Sequence, residues 1–172
     1  FLLECFRGAA EFRALPDPMP ASSTALRARF IDEHDAARCA ELMSAMAASE
    51  TWWTPTLQVL RMGALAGDPA FRDDGRLRYI PVLFRAGLWT WDADGAAAQA
   101  KDASGRDVNA ALYRLALDNV GQAHRAGVRI VAGTDAGDSY VFPGFAIHDE
   151  LAELVRAGLS PLAALRSATI DA

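Results

Sequence analysis

The sequence predicts an α/β fold in which short parallel strands are joined by helices. Val128, Ile130 and Val131 form a β-branched run that halts at Gly133-Thr134-Asp135-Ala136-Gly137, the pattern of a strand ending in a loop. A second run, Thr51-Trp52-Trp53-Thr54, is aromatic and β-branched and stops before Pro55, which forces extended backbone ahead of it and cannot donate to a sheet. Both runs are apolar rather than alternating, as expected of strands covered on both faces. Helical periodicity surrounds them, in the order helix, strand, long excursion, helix, strand, helix, helix.

Taken along the chain, the opening segment from Phe1 to about Arg13 places Leu2, Cys5, Phe6 and Ala9 on one helical face. Leu15-Pro16-Asp17-Pro18-Met19-Pro20 ends it, because closely spaced prolines cannot continue a helix. The next helix covers about Asp35 to Ala48, with Cys39, Leu42, Met43, Met46 and Ala47 forming an amphipathic stripe. After the Thr51–Thr54 strand comes a long connection from Gln58 to about Ser104. It contains Asp68-Pro69, Asp73-Asp74-Gly75 and an aromatic helical stretch with Phe84, Leu88 and Trp91, and its end, 92–104, reads as a flexible linker. A helix from about Asp107 to Ala126 follows, with Val108, Leu112 and Leu115 on one face and Gly127 as its stop. The strand Val128–Ala132 comes directly after. Asp149 and Glu150 then fall in the first turn of a helix, where the helix dipole favours negative charge, and Leu151, Leu154 and Val155 form its expected buried face. Gly158 ends it. Ser160 caps the last helix with Pro161 at its first position, and Leu162 and Leu165 are the expected inward residues.

The chain has 172 residues and a formal net charge of −5, with Lys101 its single lysine. It has no basic patch, which argues against a nucleic-acid partner. No apolar run approaches the roughly 20 residues of a membrane span. Cys5 and Cys39 lie in apolar helical patterns and read as buried free thiols, with a disulfide as the alternative. Phe1 opens in mid-pattern and the apolar Ser167–Ala172 segment lacks a stop signal, so the chain reads as part of a longer polypeptide, cut at both ends. It is too short for a complete eight-fold barrel, which takes about 250 residues.

The segment Ala126-Gly-Val-Arg-Ile-Val-Ala-Gly-Thr-Asp-Ala-Gly137, followed by His148-Asp-Glu-Leu151 and by Ala157-Gly-Leu-Ser-Pro-Leu-Ala-Ala-Leu-Arg-Ser-Ala-Thr169, resembles the amidohydrolase superfamily. The nearer likeness is to its imidazolonepropionase- and prolidase-like branch. Pro55-Thr56-Leu57 is similar to the signature that closes the next-to-last barrel strand in that branch. The resemblance implies a partial TIM-type (β/α)8 barrel, with residues 1–172 as the carboxyl-terminal part of the barrel domain. It implies that Asp135, after the last strand, is a ligand to a divalent metal, zinc first among the candidates. It also implies hydrolysis of amide-type C–N bonds by metal-activated water, with Asp135 taking part in proton transfer and an amide or dipeptide-like molecule as substrate.

The family's other ligands have no match. The chain carries His34, His124 and His148, no His-x-His, and a lysine that lies in a polar loop. Ile31-Asp32-Glu33-His34 is similar to the Glu-His that ends the sixth strand in relatives, but Leu26-Arg-Ala-Arg-Phe-Ile-Asp32 is too charged for a doubly buried strand. His34 is therefore read as a helix-entry residue, and the sixth-strand histidine is expected upstream of Phe1. His148 stands at the start of the helix after the Asp135 loop, as a candidate substrate contact or as a ring packed on Phe145. Thr56 and Thr134 at the strand ends are the other candidate substrate contacts. His124 suits a helix C-terminus and needs no functional role. Trp89 and Trp91 read as core residues or as a wall of the substrate pocket.

Two other readings stay open on the residues. Asp135 alone is also a common turn residue, and a truncated barrel with open strand edges would be a non-catalytic module that binds a partner or self-associates. A phosphate loop at Gly133–Gly137 is disfavoured, because neither Gly-x-Gly-x-x-Gly nor a Walker lysine is present.

Overall fold

The computed structural model describes residues 3–13 and 24–172. The expected break at Leu15–Pro20 lies outside them, as does Leu2. A 3₁₀ turn at Leu3–Cys5 leads to α1 (Ala9–Arg13), α2 (Thr24–Asp32) and α3 (Ala36–Ala48). Strand β1 (Trp52–Trp53) is followed by α4 (Leu57–Leu65), α5 (Pro69–Arg72), a 3₁₀ turn at Gly75–Tyr79 and a π-helical turn at Phe84–Trp89. Then come α6 (Thr90–Ala98), α7 (Val108–Arg125), strand β2 (Arg129–Ile130), α8 (Ala146–Arg156) and α9 (Pro161–Ser167).

This corrects the expected partial (β/α)8 barrel. Among the described residues helix predominates, and the sheet consists of β1 and β2 alone, paired in parallel with Trp52 opposite Arg129 and Trp53 opposite Ile130. The local chemistry explains why the strands stop. Pro55 follows β1 at once. Beyond β2, Val131 N donates to Trp53 O at 3.1 Å, but Ala132 N turns to Ser167 O at the end of α9, at 2.9 Å. A helix terminus thus takes the backbone group that a further strand would use, and two strands cannot close a barrel. The excursion between them is helical rather than loop-like. The stretch read as a linker begins inside α6, where alanines at 96, 97 and 98 favour helix.

Helix α7 is the hub. Its buried Val108, Leu112, Ala116, Val120 and Ala123 recur every three or four residues, and it packs against α2, α3, α4 and α8. One core cluster joins Leu57, Val120, Ile130, Leu154 and Leu159, a second joins Cys5, Phe6, Cys39, Met43 and Val128, and a third joins Met62, Trp89, Tyr140 and Phe142. Gly121 of α7 lies against α8's C-terminal end, because a Cβ there would overlap the backbone oxygen of Ala157.

Several faces differ from expectation. Helix α8 buries Ala146, Glu150, Glu153 and Leu154, so its inward stripe carries two carboxylates and leaves Val155 exposed. Glu153 is satisfied there by the Tyr113 hydroxyl and by Arg156 Nη1 at 3.1 Å, and it forms an ion pair with Arg61, Nε to Oε1 3.3 Å. In α9 the inward residues are Ala164 and Ser167, while Leu162 and Leu165 face solvent. Trp89 is buried, whereas Trp91 is exposed. Cys5 and Cys39 are joined in a disulfide, not free. Backbone bonds from Arg7 N to Glu33 O (3.1 Å) and from Asp35 N to Cys5 O (2.8 Å) hold the two segments side by side.

Candidate functional site

The carboxyl ends of the two paired strands bring the segments at Thr54–Thr56 and Gly133–Asp135 together. Gly133 is a glycine for a steric reason, since a Cβ there would overlap Thr54 Cγ2 and sit 3.7 Å from Thr56 Oγ1. At this junction both segments adopt left-handed backbone at a non-glycine residue. Thr56 has φ 49° and ψ 60°, and Asp135 has φ 51°. Each such residue costs about 1–3 kcal/mol and persists only where its surroundings over-determine it.

For Thr56 the surroundings include Glu150. This fully buried carboxylate accepts from Leu57 N at 3.0 Å and Gln58 N at 3.2 Å, so it caps α4 from another helix while the Thr56 side chain makes no capping bond. Burial pushes the Glu150 carboxyl up to about 7, and the two N–H bonds pull the other way without cancelling it. Sequence reasoning assigned Glu150 to its own helix N-terminus. The available signal was its place on the stripe Ala146, Glu150, Leu154, where a carboxylate is out of keeping with apolar neighbours.

The Asp135 loop is pinned from behind. Tyr140, Val141 and Phe142 are buried, Val141 N donates to Asp138 O at 3.0 Å and Asp138 N donates to Asp135 O at 3.1 Å, while Asp135, Ala136 and Gly137 face solvent. Asp135 uses its backbone oxygen in this turn. Among the described residues its carboxylate has no hydrogen bond or ion pair that would assign it to turn stabilisation. Thr134 is half-buried beside it and His148 is exposed in the first turn of α8. Phe145, the ring named as an alternative partner for His148, stacks on Tyr79 with ring centroids 5.6 Å apart.

Zinc asks for three or four donors at about 2.0–2.3 Å. Asp135 supplies one, and no metal-sized group of three His, Cys, Asp or Glu includes it among the described residues. These residues therefore do not hold a metal at Asp135 by themselves. The group that does meet the spacing is Cys5, His34 and Cys39, whose two sulfurs are spent in the disulfide. A cavity of about 370 Å³ lies elsewhere, between α4, α6 and α7. It is lined by Met62, Gly63, Trp91 and Asn109 with Arg27 at its side, and by none of the strand-end residues.

No family model, curated protein or solved structure matches this chain. The resemblance to the amidohydrolase superfamily thus rests on the motifs themselves.

Proposed function

We propose that this chain is the part of a metal-dependent hydrolase of amide-type C–N bonds that carries one metal-facing carboxylate, Asp135. One observation supports the reading above the others. Asp135 is held in a strained left-handed conformation beyond a parallel strand, two residues after Gly133, which packs against the Thr54–Thr56 segment, and its carboxylate is uncommitted. Thr56 and Thr134 are the proposed substrate-side hydroxyls, and His148 is the proposed outer contact. When bound, a divalent metal would supply activated water and polarise the substrate carbonyl. The remaining donors would come from outside the described residues, and no hydrolytic step is assigned to this chain alone.

The test is a panel of dipeptides and N-acyl amino acids incubated with the 172-residue chain and zinc. The reading expects no turnover above buffer. Robust metal-dependent turnover would show that the chain carries its own full ligand set and would overturn it.

A second reading is a non-catalytic module that self-associates. It draws on the exposed apolar Leu162, Leu165 and Ile170 along and after α9, with Trp52 also exposed on β1. A monodisperse monomer by light scattering would refute it.

A further inference from the structure

We propose that Cys5, His34 and Cys39 form a thiol-gated metal site, distinct from Asp135. Oxidised, the cysteine pair is a covalent clasp; reduced, the same side chains bind a thiophilic divalent cation such as zinc.

The geometry comes from three segments that backbone bonds hold together. Cys5 ends the first 3₁₀ turn, His34 lies in the link between α2 and α3, and Cys39 sits in the early turns of α3. Phe6 and His34 form an isolated antiparallel bridge, and their rings meet edge to face at 6.1 Å. One donor atom from each of Cys5, His34 and Cys39 lies within 4.8 Å of the others; the two sulfurs are bonded to each other and must part on reduction before both can ligate. A fourth donor converges on the same place from α7. Asn119 Oδ1 is 3.3 Å from His34 Nε2 and 3.7 Å from Cys39 Sγ. Both cysteines are fully buried and Asn119 nearly so.

The chemistry fits a cation better than two unpaired thiols and an imidazole. Two thiolates balance the +2 charge of zinc, so the buried complex is neutral overall, which avoids the large desolvation penalty of an uncompensated buried charge. The amino-terminal end of α3 favours negative charge, which suits a thiolate at Cys39. Asn119 either orients the His34 ring, as outer partners of ligating histidines do, or supplies the fourth oxygen itself.

The two states exclude each other. A dithiol reductant is oxidised to its own disulfide as Cys5 and Cys39 each gain one hydrogen and the protein S–S bond breaks. Zinc then displaces the two thiol protons, which leave to solvent, and two S–Zn bonds form.

The experiment uses the full chain, oxidised or reduced with a phosphine that is then removed. Zinc is titrated by competition with a chromophoric chelator, and cobalt is used as a spectroscopic probe. The reduced chain should take up one zinc, and its cobalt form should show thiolate-to-cobalt charge-transfer absorption and tetrahedral d–d bands. The oxidised chain should bind no zinc at these residues and its cobalt form should show no charge-transfer band. C39S should lose the charge-transfer band in part. H34Q, which keeps both cysteines and the disulfide, should lose at least about tenfold in zinc affinity. D135N should leave the thiolate-to-cobalt charge-transfer band unchanged, a signature that only the cysteine site can give, which separates it from the proposed hydrolase site. The inference is overturned if the reduced chain binds no zinc, if C39S and H34Q both bind like the wild type, if D135N abolishes the charge-transfer band, or if circular dichroism shows the reduced chain unfolded in zinc.

Discussion

Replacing Glu150 with glutamine should change how stability depends on pH. Glu150 is fully buried and its carboxyl is raised from 4.5 to about 7, first by burial. Between those values the folded protein keeps a proton that the unfolded chain has released, so stability falls as pH rises through the window and is level on either side. A rise from 4.5 to about 7 corresponds to about 3 kcal/mol of stability lost across the window. Glutamine does not titrate, but its amide presents NH₂ toward one of the two α4 N–H groups that Glu150 now satisfies. That should make E150Q less stable than the wild type by about 1–3 kcal/mol near pH 5. Toward pH 8 the gap should close or reverse, by about 3 kcal/mol in all. Urea unfolding followed by circular dichroism at several pH values measures this, and titrations common to both proteins cancel in the difference. A gap that stays constant from pH 5 to 8 to within about 0.5 kcal/mol would refute the argument that buried Glu150 meets α4 in a largely desolvated site.

Two glycines should respond oppositely to alanine. G121A, which drives a methyl into the backbone oxygen of Ala157, should destabilise by about 1–3 kcal/mol, whereas G63A in α4, with nothing within 4 Å, should stabilise by about 0.5–1 kcal/mol, both read by thermal or urea unfolding. Tyr113 donates to Glu153 and accepts from Arg156 Nη1 at 2.9 Å, so Y113F should cost about 1.5–3 kcal/mol by the same assay, and an unchanged midpoint would show that water replaces the hydroxyl. Reducing the Cys5–Cys39 bond, which closes a loop across a sequence separation of 34, should lower stability by about 3–4 kcal/mol in metal-free buffer, as read by the urea midpoint with and without reductant.

The pairing of the two strands was legible because both are short apolar runs with sharp punctuation: Pro55 after one, Gly133 after the other. The helix boundaries at Asp35, Asp107, Ser160 and Gly127 were legible for the same reason, since caps and stops act locally. The barrel was not, because strand number depends on what the strand edges meet, and Ala132 N meets the end of α9 rather than another strand. The faces of α8 and α9 were misjudged where burial went against side-chain polarity. Glu150 and Glu153 are inside because they have partners from α4, α7 and α8 itself, and Leu162 and Leu165 are outside although apolar. The disulfide was hidden because Cys5 and Cys39 meet only through tertiary contacts between the first turn and α3. For the candidate site, Asp135 and Thr56 were readable as strand-end residues, while the left-handed backbone of Thr56 and the support of Glu150 arise only where α8 packs against the start of α4.

The proposed hydrolase requires the Asp135 carboxylate to meet a metal rather than to hold a turn. The most direct test, on the proposal that the chain belongs to a longer hydrolase, compares that protein with its D135N variant, measuring bound zinc by mass spectrometry and folding by circular dichroism. Asparagine preserves left-handed backbone well, so the loop should survive the change. The account predicts unchanged folding with at least about a tenfold loss of metal at the hydrolytic site and of amide hydrolysis. Zinc content and hydrolysis equal to the wild type would contradict it and leave Asp135 as a turn residue.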